Sequence, residues 1–217
     1  MQILLLFAHP ALEKSRVHRQ LIKGLDKLPG ITFHDLYEHY PRFDIDVQRE
    51  QELLLAHDLI VLQHPLYWYS TPALVKQWED LVLEHGWAYG SNGRALEGKK
   101  FLSVVTSGGR AEAYTPDGLS RFTIREYLRP IEQTAVLCRM EYLPPFVLHG
   151  AHRLEGPMLL QTAETYRYVL LALRDDRLDL HAARRYERLN DDLDAVLKPE
   201  VALGAARVFW PRPSSTC

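Results

Sequence analysis

Short apolar runs alternate along this chain with stretches whose apolar residues recur at helical spacing. This alternation is typical of a parallel sheet covered by helices on both faces. The apolar runs predict five strands, which are Ile3 to Phe7, Ile31 to Leu36, Leu59 to Gln63, Phe101 to Thr106 and Tyr142 to Leu148.

Five other stretches have helical periodicity. Ser15 is a candidate N-cap for the first, and Pro130 predicts a kink or a late start in the fourth. The predicted helices are a stripe of Val17, Leu21, Leu25 and Leu28 that ends at Pro29-Gly30; Val47 to Ala56; a helix after Pro72 with Leu74, Trp78, Leu81 and Val82; residues 123–137; and about Gly156 to Leu173.

Right-handed crossovers leave few topologies for this series, and we predict an α/β, flavodoxin-like, doubly wound five-stranded parallel sheet of order 2-1-3-4-5. Residues 1–177 are expected to form this domain, and residues 178–217 a C-terminal helical extension and tail. In the extension, apolar residues recur at helical spacing, and we expect them to pack on their own domain or on a dimer mate in preference to another partner. These residues are Tyr186, Leu189, Leu193 and Leu197.

Composition narrows the function classes. Of 217 residues, 47% are hydrophobic and 25% charged, and 26 basic against 28 acidic residues give a formal net charge of −2. This balance argues against a nucleic-acid or general membrane binder. Only two cysteines, Cys138 and Cys217, occur, which fits a reducing cytosol, and the apolar start is too short for membrane insertion. The spacing of the histidines indicates no metal site.

The first strand is followed by a loop rich in hydroxyl, imidazole and guanidinium groups, His9 to His18. Such a loop before a helix N-terminus is suited to a phosphate. It contains neither GxGxxG nor GxxxxGK[ST], which disfavours a Rossmann dinucleotide turn and a P-loop. The alternative is that Ser15 only caps the helix and the two histidines are solvated.

Two further loops follow the third and fourth strands, Tyr67-Trp68-Tyr69 and Thr106-Ser107-Gly108-Gly109. Exposed aromatic rings need packing or a flat ligand to cover them, and paired glycines let a ligand approach backbone amides. A locally packed loop and an ordinary turn are the alternatives. Because the three loops follow neighbouring strands, we interpret them together as one site.

Several stretches, in the same order, resemble the flavodoxin-like NAD(P)H:quinone oxidoreductases, and within them the ancillary proteins of glutathione-regulated potassium efflux systems. Modulator-of-drug-activity proteins and DT-diaphorase are relatives in this family. The likeness covers roughly residues 1–175. It is carried by Ala8-His9-Pro10, Tyr40 to Asp46, Asp58 to Pro65, Trp68-Tyr69-Ser70, His85 to Gly90, Thr106 to Gly109 and Leu143 to Phe146.

The resemblance implies a non-covalently bound flavin, FMN in preference to FAD. By position, the residues around its phosphate would be His9, Ser15, Arg16, Val17 and His18. Those flanking the isoalloxazine would be Leu66, Tyr67, Trp68 and Tyr69, while Thr106, Ser107, Gly108 and Gly109 would hold its other edge. Trp87 and Tyr89 are expected as walls of the substrate pocket.

The implied reaction is a ping-pong hydride transfer from NADH or NADPH to the flavin and then to a quinone. The cofactor supplies the redox chemistry, and the protein supplies orientation and hydrogen-bond donors. The candidate catalytic groups are the amides of Gly108 and Gly109 and the hydroxyl of Tyr114, although Tyr114 is equally compatible with an interface or surface position. Ser120 stands where DT-diaphorase places a histidine that assists the tyrosine, which departs from the family pattern.

The resemblance also implies partners. Family members are homodimers with the flavin near the subunit boundary, so a homodimer is expected. The second hypothesis is a regulatory ancillary subunit that docks on a potassium efflux transporter, peripheral to the inner membrane, with flavin chemistry secondary. A third is a flavodoxin-like electron carrier, which the Trp87–Tyr89 loop disfavours because a carrier needs an exposed flavin edge.

Overall fold

In the computed structural model, which describes residues 1–198, a parallel six-stranded sheet forms the centre of the protein. The strands are β1 Ile3–Phe7, β2 Ile31–Asp35, β3 Leu59–Pro65, β4 Lys100–Thr106, β5 Glu141–Tyr142 and β6 Phe146–Leu148. Their order is β2-β1-β3-β4, with β5 and β6 both paired to the far side of β4. The predicted order 2-1-3-4-5 is therefore confirmed. The last part of the predicted extension and tail, residues 199–217 with Cys217, lies outside the described residues.

The last strand differs from the prediction. The expected continuous strand from Tyr142 to Leu148 is wrong, because it is interrupted after β5 and resumes as β6. The interruption contains Pro144 and Pro145, which have no N–H to donate to β4. Both halves still pair with β4, at Phe101 and again at Val104.

Helices cover both faces of the sheet, and alternate residues of β1 belong to the two resulting cores: Leu4 and Leu6 to one, Ile3 and Leu5 to the other. The helix bounds are α1 Arg16–Ile22, α2 Leu36–His39, α3 Val47–Ala56, α4 Ala73–Val82, α5 Ile124–Tyr127, α6 Arg129–Leu137, α7 Gly156–Arg174, α8 Leu180–Ala183 and α9 Leu193–Val196. Apolar residues of α3, α4 and α6 pack on the first core, and those of α1 and α7 on the second.

Two helices show how local chemistry sets their ends. The expectation that the first would extend to Leu28 is wrong, because Gly24 takes a left-handed conformation with φ of 73° and only a 3-10 turn follows. The helix expected over 123–137 is divided into α5 and α6, with Pro130 in the first turn of α6. The predicted kink or late start at this proline is confirmed.

The C-terminal extension lies on the edge of the sheet. The Leu189 amide donates to the Pro145 carbonyl at 2.9 Å, and the Asn190 side chain makes two 2.9 Å hydrogen bonds with the Val147 backbone. The predicted stripe is not one helix, but its apolar residues do pack on the core beside α7, which confirms packing on the same domain. This segment therefore covers the edge of β6, which would otherwise be exposed. Within residues 1–198, no helix has the length and apolar character of a membrane span.

Candidate functional site

The loops after β1, β3 and β4 meet at the carboxyl end of the sheet. The Leu66 amide donates to the Thr106 carbonyl at 2.8 Å, and the Nε2 of His18 lies 2.9 Å from the Thr106 hydroxyl oxygen. The rings of His9 and Tyr67 meet edge to face with their centroids 5.8 Å apart. The three loops interpreted together in the sequence are thus in direct contact.

A cavity of about 290 Å³ opens between these loops, close to the lower limit for small-molecule sites. Two basic residues, Lys14 and Arg16, line it, and no acidic residue does, so its charge favours an anion. The other lining residues are His9, Ser15, Val17, His18, Pro65, Leu66, Tyr67, Thr106, Gly108, Ala151 and His152.

The floor of the cavity is held by a buried chain of polar side chains. Tyr166 on α7 donates to the Gln63 carbonyl oxygen at 2.8 Å, and the Gln63 amide nitrogen lies 3.3 Å from Nδ1 of His18. The other ring nitrogen of His18 contacts Thr106. All four side chains are buried, so each needs these partners.

Burial keeps two of the three histidines that line this cavity, His9 and His18, in their neutral form near pH 7. Burial, followed by the nearness of His9 and His64, lowers the pKa of His18 to about 3. Burial also lowers the pKa of His9, whose Nδ1 accepts the Ala11 amide at 3.1 Å. Lys14 and Arg16 are the basic side chains of the cavity that are charged at all ordinary pH values.

The alternative considered for this loop is wrong about its histidines, because His9 and His18 are buried and not solvated. Ser15 caps the helix by accepting the amide of His18 at 3.2 Å, and it also lines the cavity. The Arg16 guanidinium is paired with Glu155 at 3.1 Å and donates to the His152 carbonyl at 3.1 Å. Arg16 therefore connects the start of α1 to the segment that contains His152 and Glu155. Its positive charge is already paired with the Glu155 carboxylate.

The aromatic loop is a tight turn with strained backbone. Tyr67 and Ser70 exchange two 3.0 Å backbone hydrogen bonds, and Trp68 and Tyr69 between them have φ of 50° and 63°. Left-handed conformations at both central positions are unusual for aromatic residues, and such strain is concentrated at functional sites. Trp68 is 93% exposed, whereas Tyr69 stacks on Tyr127 at 4.9 Å.

The glycine pair after β4 presents bare backbone. Among the described residues, the amides of Gly108 and Gly109 donate to no protein acceptor. A methyl group on Gly108 would lie 2.8 Å from Nε2 of His152, and one on Gly109 would lie 2.9 Å from the Tyr114 ring. Only glycine fits this backbone without displacing a neighbour.

Tyr114 has a histidine neighbour that sequence reasoning missed. Its ring centroid lies 5.5 Å from that of His149, which follows β6, whereas the carbonyl of Ser120 accepts the hydroxyl of Tyr127. Nδ1 of His149 lies 3.1 Å from the hydroxyl oxygen of Ser107. The rule that found the other loops, a polar residue at the carboxyl end of a strand, would have found His149 as well.

The proposed walls of the substrate pocket lie elsewhere. Neither Trp87 nor Tyr89 lines the cavity beside Gly108. Trp87 packs against the core on the α4 face, and Tyr89 lines a second cavity of about 290 Å³ with Glu79. Tyr89 shares that second cavity with Ser70 and Thr71 of the loop after β3. Neither residue reaches the cavity beside Gly108 within one chain, and their role as substrate-pocket walls stays a prediction.

Comparison with known proteins gives this site a context. The flavodoxin-like fold family matches residues 1–169. A potassium-efflux system ancillary protein, KefG of Pectobacterium carotovorum, is 47% identical over 165 residues, which are 76% of this chain and 90% of that protein.

Solved structures agree on the fold. General stress protein 14 of Treponema denticola, in complex with FMN, is 39% identical with a TM-score of 0.73, covering 81% of this chain and 99% of its own. An NADPH-quinone reductase of P. pentosaceus is 37% identical with a TM-score of 0.71, over 78% and 97%. A protein described as a thermophilic tryptophan halogenase from Streptomycin violaceusniger is 46% identical with a TM-score of 0.75, over 77% and 98%.

Proposed function

The chain belongs to the flavodoxin-like family, and on that premise we propose that it is an FMN-dependent NAD(P)H:quinone oxidoreductase. One observation carries the proposal: the loops after three neighbouring strands meet around one cavity lined by basic and hydroxyl groups and by Gly108, whose amide donates to no acceptor among the described residues. The T. denticola neighbour in complex with FMN and the NADPH-quinone reductase neighbour support it.

The residues present fit FMN. Lys14 and Ser15 would meet its phosphate, together with backbone amides of Arg16 and Val17, because these neighbouring residues bring a basic group, a hydroxyl and the start of α1 to the cavity. A methyl group on Gly108 would collide with His152, so the backbone here stays bare and its amide is free to meet the edge of a planar ring.

Bound FMN would supply the hydride chemistry, and the chain supplies binding, orientation and charge stabilisation. The amides of Gly108 and Gly109 would donate to the ring edge where negative charge develops, with the Tyr114 hydroxyl as a third donor. Trp68, on its strained turn, would cover a ring face. No side chain has to act as an acid–base pair.

Two assembly states belong to the same proposal. The resemblance favours a homodimer, which light scattering would report as twice the 25.1 kDa of one chain. A docking role on a potassium efflux transporter is the second candidate function, favoured by the 47% identity to an ancillary protein of such a system. Co-purification with that transporter, by a variant that binds no FMN, would separate docking from catalysis.

The deciding experiment is the absorption spectrum of the purified protein, with FMN added if none is bound, before and after anaerobic NADPH and then a quinone. Flavin bands that bleach with NADPH and return with quinone are the expected result. A protein that neither binds FMN nor oxidises NADPH or NADH would overturn the proposal and favour docking. Flavin bands that bleach with NADPH and do not return with quinone would support the flavin and contradict the quinone step.

A further inference from the structure

The C-terminal extension reaches the glycine loop through one arginine. Arg188 lies beyond residue 169, where the family match ends, and its Nη1 is 2.8 Å from Nε2 of His149. Asp191 accepts from the Arg188 amide at 3.0 Å and from its Nε at 2.6 Å. The segment is anchored next to this contact because Leu189 and Asn190 are hydrogen-bonded to the strand edge.

The direction of the hydrogen bonds in this chain of contacts follows from the chemistry of arginine. A guanidinium only donates, so Nε2 of His149 must accept. A neutral imidazole then carries its proton on Nδ1, which donates to the Ser107 oxygen at 3.1 Å. The Ser107 hydroxyl proton is left for the Gly109 carbonyl at 3.2 Å.

The neutral state of His149 is consistent with its surroundings. Burial, followed by the positive charge of Arg188, lowers the pKa of His149 to about 4, against smaller opposing effects of two carboxylates. The titratable and charged groups that surround the ring are Arg188, Asp191, Glu112, Glu187 and Tyr114.

The glycine loop needs such external support. Two consecutive glycines have wide conformational freedom, so their peptide planes are ordered only where other groups hold them. The Gly109 carbonyl is held by the Ser107 hydroxyl and by the Gly150 amide at 2.8 Å. The Ser107 carbonyl accepts from Ala151 at 2.9 Å, which turns the Gly108 amide away from Ala151 because a trans peptide holds its C=O and N–H on opposite sides.

We propose that Arg188 is a positioning residue which, through His149 and Ser107, fixes the loop Gly108–Gly109 in the shape that receives the flavin edge. The inference rests on the proposed function for the identity of the ligand. The hydrogen-bond order itself is a property of the free protein. Arg188 thus makes the extension part of the site although it does not line the cavity beside Gly108.

The first test needs no flavin. In apo protein with ¹⁵N-labelled histidine, long-range ¹⁵N–¹H spectra at pH 7 are expected to show His149 protonated at Nδ1 and bare at Nε2. In Arg188→Met, the proton is expected to move largely to Nε2, and the pKa of His149 is expected to rise towards its ordinary value because a nearby positive charge is lost. Parent protein with the proton on Nε2, or a tautomer unchanged in Arg188→Met, would overturn the proposal.

The second test measures FMN dissociation constants by fluorescence. Arg188→Met is expected to weaken binding about tenfold, the effect of losing one charge-assisted hydrogen bond. Arg184→Met is the matched control, because Arg184 lies in the same extension but pairs with Glu141 at 2.7 Å, and it should leave binding unchanged. Should Arg188→Met fail to fold by circular dichroism, Asp191→Asn, which removes the anchor of Arg188, is measured in both tests. A smaller loss of FMN affinity and a partial move of the His149 proton to Nε2 are then expected, whereas the pKa of His149 is expected to fall because the Asp191 carboxylate raises it.

The two ideas fail differently. If the parent and Arg188→Met bind FMN equally well, the positioning role of Arg188 is wrong and the proposed function is unaffected. Parent protein that binds no FMN overturns the proposed function, and the tautomer of His149 then still decides the hydrogen-bond order.

Discussion

The phenol of Tyr166 donates to the side-chain carbonyl of Gln63 at 2.8 Å, 103 positions away in the chain, and both groups are buried. This contact joins α7 to the end of β3 and orients the Gln63 amide towards His18. The polar floor of the candidate site therefore depends on a helix that provides no lining residue of the cavity.

Tyr166→Phe should lower the free energy of unfolding by about 1–3 kcal/mol, because the buried Gln63 oxygen loses its donor. Urea unfolding followed by circular dichroism measures this. The control is Tyr168→Phe on the same helix, whose ring lies under the Arg177 guanidinium at 5.2 Å and keeps that contact without its hydroxyl. Equal stability of the two variants would contradict the role given to the Tyr166 hydroxyl.

The stability of the protein should fall as the pH is lowered from 7 to 5. The pKa values of His18 and His64 are lowered to about 3 and about 4 by burial, so both are neutral in the fold and bind protons on unfolding. A histidine with a lowered folded pKa contributes stability above its unfolded pKa, near 6.5, and loses it as the pH falls further. Together these two predict a loss of up to about 2.5 kcal/mol per pH unit, and His149, whose pKa is lowered to about 4, adds to it.

Urea unfolding at pH 7, 6 and 5 measures this slope. His18→Asn is expected to reduce it by about one bound proton, whereas His85→Asn, at an exposed position, should leave it unchanged. An identical slope in parent and His18→Asn would show that His18 does not bind a proton on unfolding in this range.

Glu50→Gln should destabilise the protein by about 2–4 kcal/mol. The fully buried carboxylate of Glu50 accepts from His34 at 2.7 Å, Tyr40 at 2.5 Å and Trp78 at 2.8 Å, and an amide turns one acceptor into a donor facing them. Burial alone would raise the pKa of Glu50, but these hydrogen bonds outweigh it and hold the pKa below its usual value. Its contribution to stability should accordingly be lost in acid, as the pH falls through that lowered pKa.

Glu52→Gln is the matched control for Glu50→Gln, because Glu52 is an exposed residue of the same helix with one hydrogen bond from Gln48. Its effect should stay within about 0.5 kcal/mol. If thermal or urea unfolding shows similar losses of stability in the two variants, the buried hydrogen bonds of Glu50 make no specific contribution to stability.

Trp68→Asn should separate stability from binding. Asparagine tolerates the left-handed backbone at this position better than tryptophan, so the free protein should be as stable as the parent or more so. The loss of a ring that would cover the flavin should weaken FMN binding about tenfold. Leu119→Asn, which removes a side chain of 91% exposure outside the turn, should change neither quantity. Unchanged FMN affinity in Trp68→Asn would remove Trp68 from the flavin site.

Tyr114→Phe tests the candidate donor next to Gly109. Turnover with quinone should fall about 10- to 100-fold if the hydroxyl stabilises charge on the ring. Tyr127→Phe is the control, because its hydroxyl donates to the Ser120 carbonyl at 2.6 Å and its ring is retained. Turnover of Tyr114→Phe equal to that of the parent would leave the two glycine amides as the candidate donors.

The sequence by itself determined the sheet, its strand order and the set of loops at its carboxyl end. Continuous apolar runs in the sequence correspond to the buried strands β1 and β3. The helical periodicity of α3 predicted bounds that agree with the structure. These are local properties, because a residue's burial on a face follows from its spacing from its neighbours. The residues alone indicated that the three loops form one site. The family resemblance then suggested FMN as the ligand of that site.

Tertiary structure decided which side chains meet. His149 and Arg188 are 39 positions apart and touch because Asn190 pairs with the edge strand β6, whose position depends on the interruption at Pro144. Trp87 was expected as a wall of the substrate pocket, but it packs on the core that Leu66 and Tyr114 also contact and does not line the cavity beside Gly108. Contacts of this kind depend on register and on the path of a loop, and no periodicity along the chain encodes either of them.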